Sequence, residues 1–487
     1  MTALVWVGRL PRRFSAVILR NRLFSILVAV GIVLRVLVWI AFQPGLFYGD
    51  SYAYLGTSQN LTLNPIRPIG YPLLLHVLLH WNQLSVPTAV QHGFGIVTAL
   101  ICYALLRRLG AGTVVASIAA APMLFDGYLL NIEQYLLSES LFILLLVAGL
   151  AVLVWRSRPS ALACTTAGLL LGGAAVTRTV GMVLIVPLLV YCIVRWLGVL
   201  RIALVTLGFA VPLLAYAAWF DSTYNQFAVT KHDGYFLYGR VSTFAECSNW
   251  NVPTSQLFLC FSQPPSQRPN PNYYVWSEFG RHGRYHFKPF SLNAKLRSFA
   301  IAAIVHEPFA YAGMILGDLE HYASPGHWTN RWDTPITQWR FRRVGQVHAI
   351  REQALVARHG GTISFNPTIA RFLNSYQAIV FVQGPMLAAA FFAGLVAAAV
   401  GRRRGRPLRG EALLFSLVGL SLPMTAAATT MFDYRYALPA IPPLCLAAGT
   451  AAIVATSRWK ERRAARAVPI EGVVEQAAPA MPGVPAV

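Results

Sequence analysis

The sequence predicts an all-α polytopic membrane protein of about ten transmembrane helices with a mixed extracytoplasmic region. Three observations carry that expectation. Hydrophobic residues make up 56% of the 487 and charged ones only 12%, with a mean hydropathy of +0.52, the balance of membrane chains and not of soluble ones. Apolar stretches of bilayer-spanning length recur along the chain. The basic residues between them cluster at every second boundary.

The apolar stretches are Phe24–Phe42, Val86–Leu106, Thr113–Phe125, Leu141–Trp155, Leu162–Val176, Gly181–Trp196, Ile202–Phe220, Ala378–Val400, Leu413–Met424 (extended to Thr429) and Ala437–Thr456. Met1–Arg22 shows no small-residue cleavage site, so the first stretch reads as a retained anchor. Arg9, Arg12, Arg13, Arg20 and Arg22 precede it, and arginine clusters follow the second, fourth, sixth, eighth and tenth stretches. Ten spans with both termini cytoplasmic satisfy this bias. The formal charge of +22 is then mostly a topology signal, and no nucleic-acid partner is expected.

The alternate, outward boundaries hold Asp50 and Arg67; Asp126, Glu133 and Glu139; Arg178; the whole of 221–376; and Asp433 with Arg435. Most of the acidic residues lie on this face, which makes it the expected working face. Four parts follow: an N-terminal membrane module (1–220), an extracytoplasmic region (221–376), a C-terminal membrane module (377–457) and a disordered cytoplasmic tail (458–487).

Phe47–Tyr54 places Asp50, the one acidic residue before Asp126, in an aromatic loop after the first stretch. It reads either as a solvated loop residue or as the base of an enzyme whose substrate lies in the membrane. Arg35, about 10 Å below the outer end of the first span, is either a structural counter-ion or a contact to a lipid phosphate. Leu73–Trp81 is too short to span and reads as an interfacial helix started by Pro72. His76 and His80 on it lack a third metal ligand nearby, so no metal site is expected.

Glu133 and Glu139 are six residues apart and would face different sides of one continuous helix. Glu139 also reads as a helix-start acid beside a capping Ser138. The small residues of Leu169–Ala175 predict close helix packing. Arg178, just beyond, fits either a phosphate site or interfacial snorkelling.

In 221–376, Cys247 and Cys260 invite a disulfide, worth roughly 3 kcal/mol for so short a loop. Leu296–Ile304 and Phe309–Leu316, split at His306-Glu-Pro308, read as amphipathic helices roofing a cavity. Gly326–Trp332, with His327, has the composition of either a sugar-holding loop or an interfacial aromatic belt. Arg435, near Asp433, is either a second phosphate-facing cation or a solvated anchor of the last span.

Gly49-Asp50-Ser-Tyr52, Arg67-Pro-Ile-Gly-Tyr-Pro72, Leu137-Ser-Glu139-Ser-Leu-Phe142, Gly168 to Arg178 and Arg435-Tyr-Ala-Leu-Pro439 together resemble the C-type (GT-C) glycosyltransferase superfamily, polytopic enzymes using polyprenyl-phosphate sugars. Its members include protein O-mannosyl-, lipid A aminoarabinose and mycobacterial arabinosyl- and mannosyltransferases. The resemblance implies Asp50 as base, Arg435 as ligand of the donor phosphate, and an inverting reaction. Arg178, Arg67 and Arg35 are the further phosphate candidates. Tyr48, Tyr52, Glu133, Glu139, His327 and Tyr436 are the substrate-binding ones.

Many members carry a second acid after the first. Ser51 stands there in this chain, which argues against a metal site of that kind and against protein O-mannosylation. The arginine-dominated basic content and abundant alanine add a weak pointer to a GC-rich bacterium. The expected partners are a polyprenyl-phosphate sugar donor, arabinofuranose or mannose in an actinobacterial envelope, a glycan or lipid acceptor, and membrane lipids; no cofactor is expected. The alternatives are a lipid or solute transporter, for which no repeated pair of interrupted spans is found, and an inactive scaffold of the same fold.

Overall fold

A computed structural model describes residues 21–277, 291–343, 350–359, 361–401 and 408–466, without the side chains of 327 and 464–466. The N-terminal arginines up to Arg20, the cluster Arg402–Arg406 and the tail beyond Arg466 lie outside these residues. What is described is mostly helical, with almost no sheet. The helices are α1 (Arg22–Ala41), α2 (Gly49–Asn60), α3 (Gly70–Leu78), α4 (Ser85–Leu109), α5 (Thr113–Phe125), α6 (Gly127–Gln134), α7 (Glu139–Val154), α8 (Ala161–Thr177), α9 (Ile185–Val194) and α10 (Val199–Tyr224). They continue with α11 (Asp233–Val241), α12 (Pro271–Trp276), α13 (Asn293–His306), α14 (Pro308–Ala323), α15 (Ile350–Arg358), α16 (Pro367–Ile379), α17 (Gly384–Val400), α18 (Arg409–Thr429) and α19 (Ile441–Arg466).

The ten predicted apolar stretches fall mostly on helices, but Ala378–Val400 is interrupted at residues 380–383, and the expected ten spans are not reached. Among the described residues five are long and apolar enough to cross a membrane: α1, α4, α10, α18 and the run Tyr434–Arg463, which takes in most of α19. The number rises to eight if α5 with α6, α13 with α14 and α16 with α17, each bent by more than 40°, count as single spans. α7, α8 and the run Thr179–Val194 are shorter apolar helices. The chain is therefore a multi-pass membrane protein, and Ile26, Val33 and Val36 on the outer side of α1 stay exposed, as lipid-facing residues do.

Packing follows the small residues. A Cβ on Gly168 would meet the carbonyl oxygen of Val205 at 2.4 Å, and one on Gly172 that of Phe209 at 2.3 Å, so α8 and α10 approach backbone to backbone, as the glycine-rich stretch predicts. One large buried cluster runs through the helical bundle. A separate cluster, including Tyr238, Trp250, Phe299 and Leu296, fills the region between residues 235 and 303.

Within that region Cys247 and Cys260 are bonded, with Cα atoms 5.9 Å apart. α13 and α14 break at Glu307 and bend by 97°, close to the predicted split, with Pro308 starting α14 where its missing N–H costs nothing. Three short backbone ladders tie the loops to the helix ends. β1 (Phe42–Gln43) pairs antiparallel with β2 (Ser364–Phe365), Leu46 bridges Tyr135, and Thr334 bridges Asp433. These ladders gather residues distant in sequence at one end of the bundle, where α1 ends, α7 begins, α8 ends and α19 is entered.

Candidate active site

Asp50 sits in the first turn of α2 and is 8% exposed. Tyr48, in extended conformation before the helix, donates its backbone N–H to Ser51 Oγ at 3.0 Å, half of a capping box. Ser51 is thus used to start the helix that presents Asp50. Asn64 Oδ1 accepts the backbone N–H groups of Ile66 and Arg67, both at 2.9 Å, forming a turn of the Asx type that brings the Arg67 side chain to Asp50 Oδ1.

The other carboxylate oxygen, Oδ2, receives Arg435 Nη1 at 3.1 Å. Arg435 is held by its own neighbourhood. Asp433 Oδ1 caps the short turn Tyr434–Ala440 by accepting the Arg435 backbone N–H at 2.9 Å and also takes Trp339 Nε1–H at 2.7 Å. The guanidinium lies 5.0 Å from the Trp339 ring, 5.2 Å from Tyr48 and 5.3 Å from Tyr436, an aromatic cage suited to a cation. Its Nε is 3.4 Å from Glu139 Oε1, and the same oxygen pairs with Arg178.

Five side chains from four widely separated segments therefore meet: Asp50, Arg67, Glu139, Arg178 and Arg435. Among these five, three cations face two carboxylates, one positive charge in excess that the buried Asp433 carboxylate beside Arg435 partly offsets. Glu139 is fully buried and its Oε2 has no hydrogen-bond partner among the described residues. An anion entering here would meet preformed cations with little competing water, the condition under which charge-assisted bonds to phosphate are strong.

Burial alone would raise the Asp50 carboxyl, but Arg67 and then Arg435 outweigh it and hold it down to about 2. Asp50 is a carboxylate at any physiological pH. Burial pushes the Tyr48 hydroxyl up to about 12, so it remains a protonated donor. Beside Arg67, Trp276 lies 5.6 Å from the guanidinium and stacks on His232 at 5.0 Å. Burial, reinforced by Arg67, lowers His232 to about 4 and keeps it neutral.

The remaining predicted residues divide. Tyr436 is in the cage, 5.8 Å from Arg178 as well. Tyr52 faces the other way, under Arg351 at 3.9 Å. His327 ends the short turn Pro325–His327, and its side chain is not among those described. Arg35 and Glu133 do not join the Asp50 cluster but pair with each other at 2.8 Å. Arg35 also donates to the carbonyls of Gly31, Leu124 and Met123, so both terminal nitrogens are turned into the bundle and away from the Asp50 cluster, while its Nε has no hydrogen-bond partner among the described residues.

Glu133 is further held by His92 Nδ1 at 2.9 Å, apart from the Asp50 cluster. Ser138 does not cap α7. Its Oγ lies 3.1 Å from the Tyr54 hydroxyl, and Glu139 serves the arginines instead. The chain breaks between α6 and α7, so Glu133 and Glu139 never share a helix. The sequence reading missed Trp339, Asp433 as a cap, and Trp276; only their aromatic or loop character was visible, not their partners.

Fold and site together define a helical multi-pass membrane protein with a cation-rich, carboxylate-containing cluster of buried side chains at one end of its bundle. Residues 89–229 match the family model described as dolichyl-phosphate-mannose-protein mannosyltransferase, a stretch that includes Glu139 and Arg178 but neither Asp50 nor Arg435. Among solved structures the chain is similar to the S. cerevisiae protein O-mannosyltransferase Pmt1–Pmt2 complex bound to the sugar donor, at 18% identity and a TM-score of 0.35. The match covers 48% of this chain and 37% of that one. No curated protein sequence matches the chain.

Proposed function

We propose that this protein is a membrane glycosyltransferase that moves a sugar from a polyprenyl-phosphate donor to an acceptor hydroxyl on the extracytoplasmic face. The observation that carries the reading is the sharing of Asp50 between Arg67 and Arg435 inside a cluster with one cation in excess. A polyprenyl-phosphate sugar is a phosphodiester with one negative charge, which would balance that excess. Arg435 and Arg178 hold the phosphate, with Arg67 beside Asp50.

The reaction then runs as a displacement. The acceptor oxygen bonds to the anomeric carbon, its proton passes to Asp50, and the bond from that carbon to the phosphate oxygen breaks. The departing polyprenyl phosphate gains charge, which the arginines stabilise more strongly than they do the donor. When the donor phosphate draws Arg435 away from Asp50, the carboxylate loses one of the two partners that depress it and becomes a better base.

The match of residues 89–229 supports a mannosyl donor over an arabinofuranosyl one, and the acceptor is a glycan or lipid of the cell envelope. The disulfide between Cys247 and Cys260 supports an oxidising compartment for 221–376, and the arginine bias of the short loops supports cytoplasmic termini with the Asp50 cluster outside. The deciding experiment is transfer from a radiolabelled polyprenyl-phosphate sugar by the purified protein. Product from the wild type and none from Asp50→Asn supports the reading; turnover retained in that variant removes it.

A further inference from the structure

Away from Asp50, a second group of buried ionisable side chains joins α14 to the loop behind it. Asp318 and His321 are three residues apart on α14 and so share a helix face. Asp333 approaches from the loop that follows. All three are buried, and one ligand atom from each lies within 4.8 Å of the others, roughly twice a metal–ligand bond.

His321 Nδ1 comes to 2.7 Å from Asp333 Oδ2, yet the two are not aligned as a hydrogen bond and Nδ1 has no other hydrogen-bond partner among the described residues. His321 is only 4% exposed. A ring nitrogen left so is costly where water cannot reach it, and a lone pair converging with carboxylate oxygens on one point is the arrangement that a cation completes.

The surroundings are built for the group. Trp328 and Phe432 wall the imidazole, their rings 4.3 Å and 5.6 Å away. Asn330 donates its backbone N–H to Asp333 Oδ2 at 2.8 Å. Arg240 donates to Asp318 Oδ2 at 2.7 Å, and a carboxylate's second oxygen leaves Asp318 able to serve a cation too. With neutral His321, two carboxylates and one guanidinium leave the group at −1.

We propose that Asp318, His321 and Asp333 bind a divalent transition cation of the zinc type, as a structural clamp between α14 and the 324–335 loop. One imidazole with two carboxylates suits zinc or its first-row neighbours, whereas magnesium and calcium favour all-oxygen sets. The clamped loop continues into Thr334, whose N–H donates to Phe432 O at 3.0 Å, while Tyr322 on α14 donates its hydroxyl to Asp433 O at 3.1 Å. The cation therefore braces the strap that carries Arg435. The assignment does not depend on Asp50 being a base.

The test uses the full-length protein, purified in detergent without a histidine tag, stripped with EDTA and titrated with zinc chloride. Elemental analysis after desalting is expected to give about one zinc per chain, with a thermal midpoint several degrees above the stripped protein. Cobalt in place of zinc is expected to give ligand-field bands without the thiolate charge-transfer band that the chain's free cysteines would produce. Asp333→Asn, nearly isosteric, and His321→Ala are each expected to lose at least tenfold in zinc affinity. Wild-type protein that retains less than a tenth of an equivalent and melts identically with and without zinc overturns the proposal, whatever the variants do. So does zinc binding that both variants leave unchanged.

Discussion

Two of the buried charge clusters in this molecule, the Arg35–Glu133 pair and the Asp50 group, differ in balance. The Arg35–Glu133 pair sits between α1 and the α5–α6 bend, one cation against one carboxylate, with carbonyls of Gly31, Met123 and Leu124 and the His92 ring taking all but Arg35 Nε. The Asp50 cluster holds three cations against two carboxylates, drawn from loops and helix ends. A buried pair whose bonds close on themselves fixes helices in place; a cluster with unbalanced charge has affinity left over for something that is not part of the chain. Sequence reading treated both sets as functional candidates because charge in a membrane protein is costly in either case.

The sharpest way to break the comparison is substitution at Asp50. Asp50→Asn is expected to lower transfer at least a thousandfold while the protein still elutes and melts as a folded chain, read by purified donor turnover and thermal unfolding in detergent. Arg435→Gln is expected to cost about a hundredfold, mainly as a higher KM for donor. Adding Asp50→Asn to Arg435→Gln should restore nothing, because neither group exists to neutralise the other.

The Arg35 cluster should behave in the opposite way. Glu133→Leu alone leaves a buried guanidinium unbalanced and is expected to destabilise the fold by about 3–5 kcal/mol, and the double change Arg35→Met with Glu133→Leu should recover most of it. Activity per folded molecule is expected to be near wild type in the double variant. A smaller effect tests the same cluster sterically: a Cβ at Gly95 would lie 1.9 Å from Glu133 Oε1 and 2.6 Å from Arg35 Nη2. Gly95→Ala is accordingly expected to cost about 2 kcal/mol, read as a lower thermal midpoint.

The smallest expected effect is on pH. Asp50 is lowered from 3.8 to about 2 by its arginines, so its contribution is complete above pH 4 and is lost as pH falls through about 2. Acid titration of the wild type should therefore shed on the order of 2 kcal/mol more than Asp50→Asn over that window. Parallel curves for the two proteins would show that the arginines do not hold Asp50 in solution. His232 works the other way round, staying neutral down to about 4 while the unfolded chain takes up its proton near 6.5, so it withdraws stability between those values on acidification.

The sequence determined what depends on local pattern. Apolar length placed the helical stretches, though not a count of ten spans, proline and glycine placed the α13–α14 break and the close α8–α10 contact, and the placing of Cys247 and Cys260 in one outward region invited their pairing. Motif order in the chain singled out Asp50, Arg67, Glu139, Arg178 and Arg435. Which cation meets which carboxylate was decided only by tertiary structure, because the answer depends on how helix ends separated by up to 385 residues are brought together. That is why Arg35 and Glu133, not told apart from the others by residue type, close on each other, and why Trp339 and the Asp318–His321–Asp333 group became visible only once the loops were folded back onto the bundle.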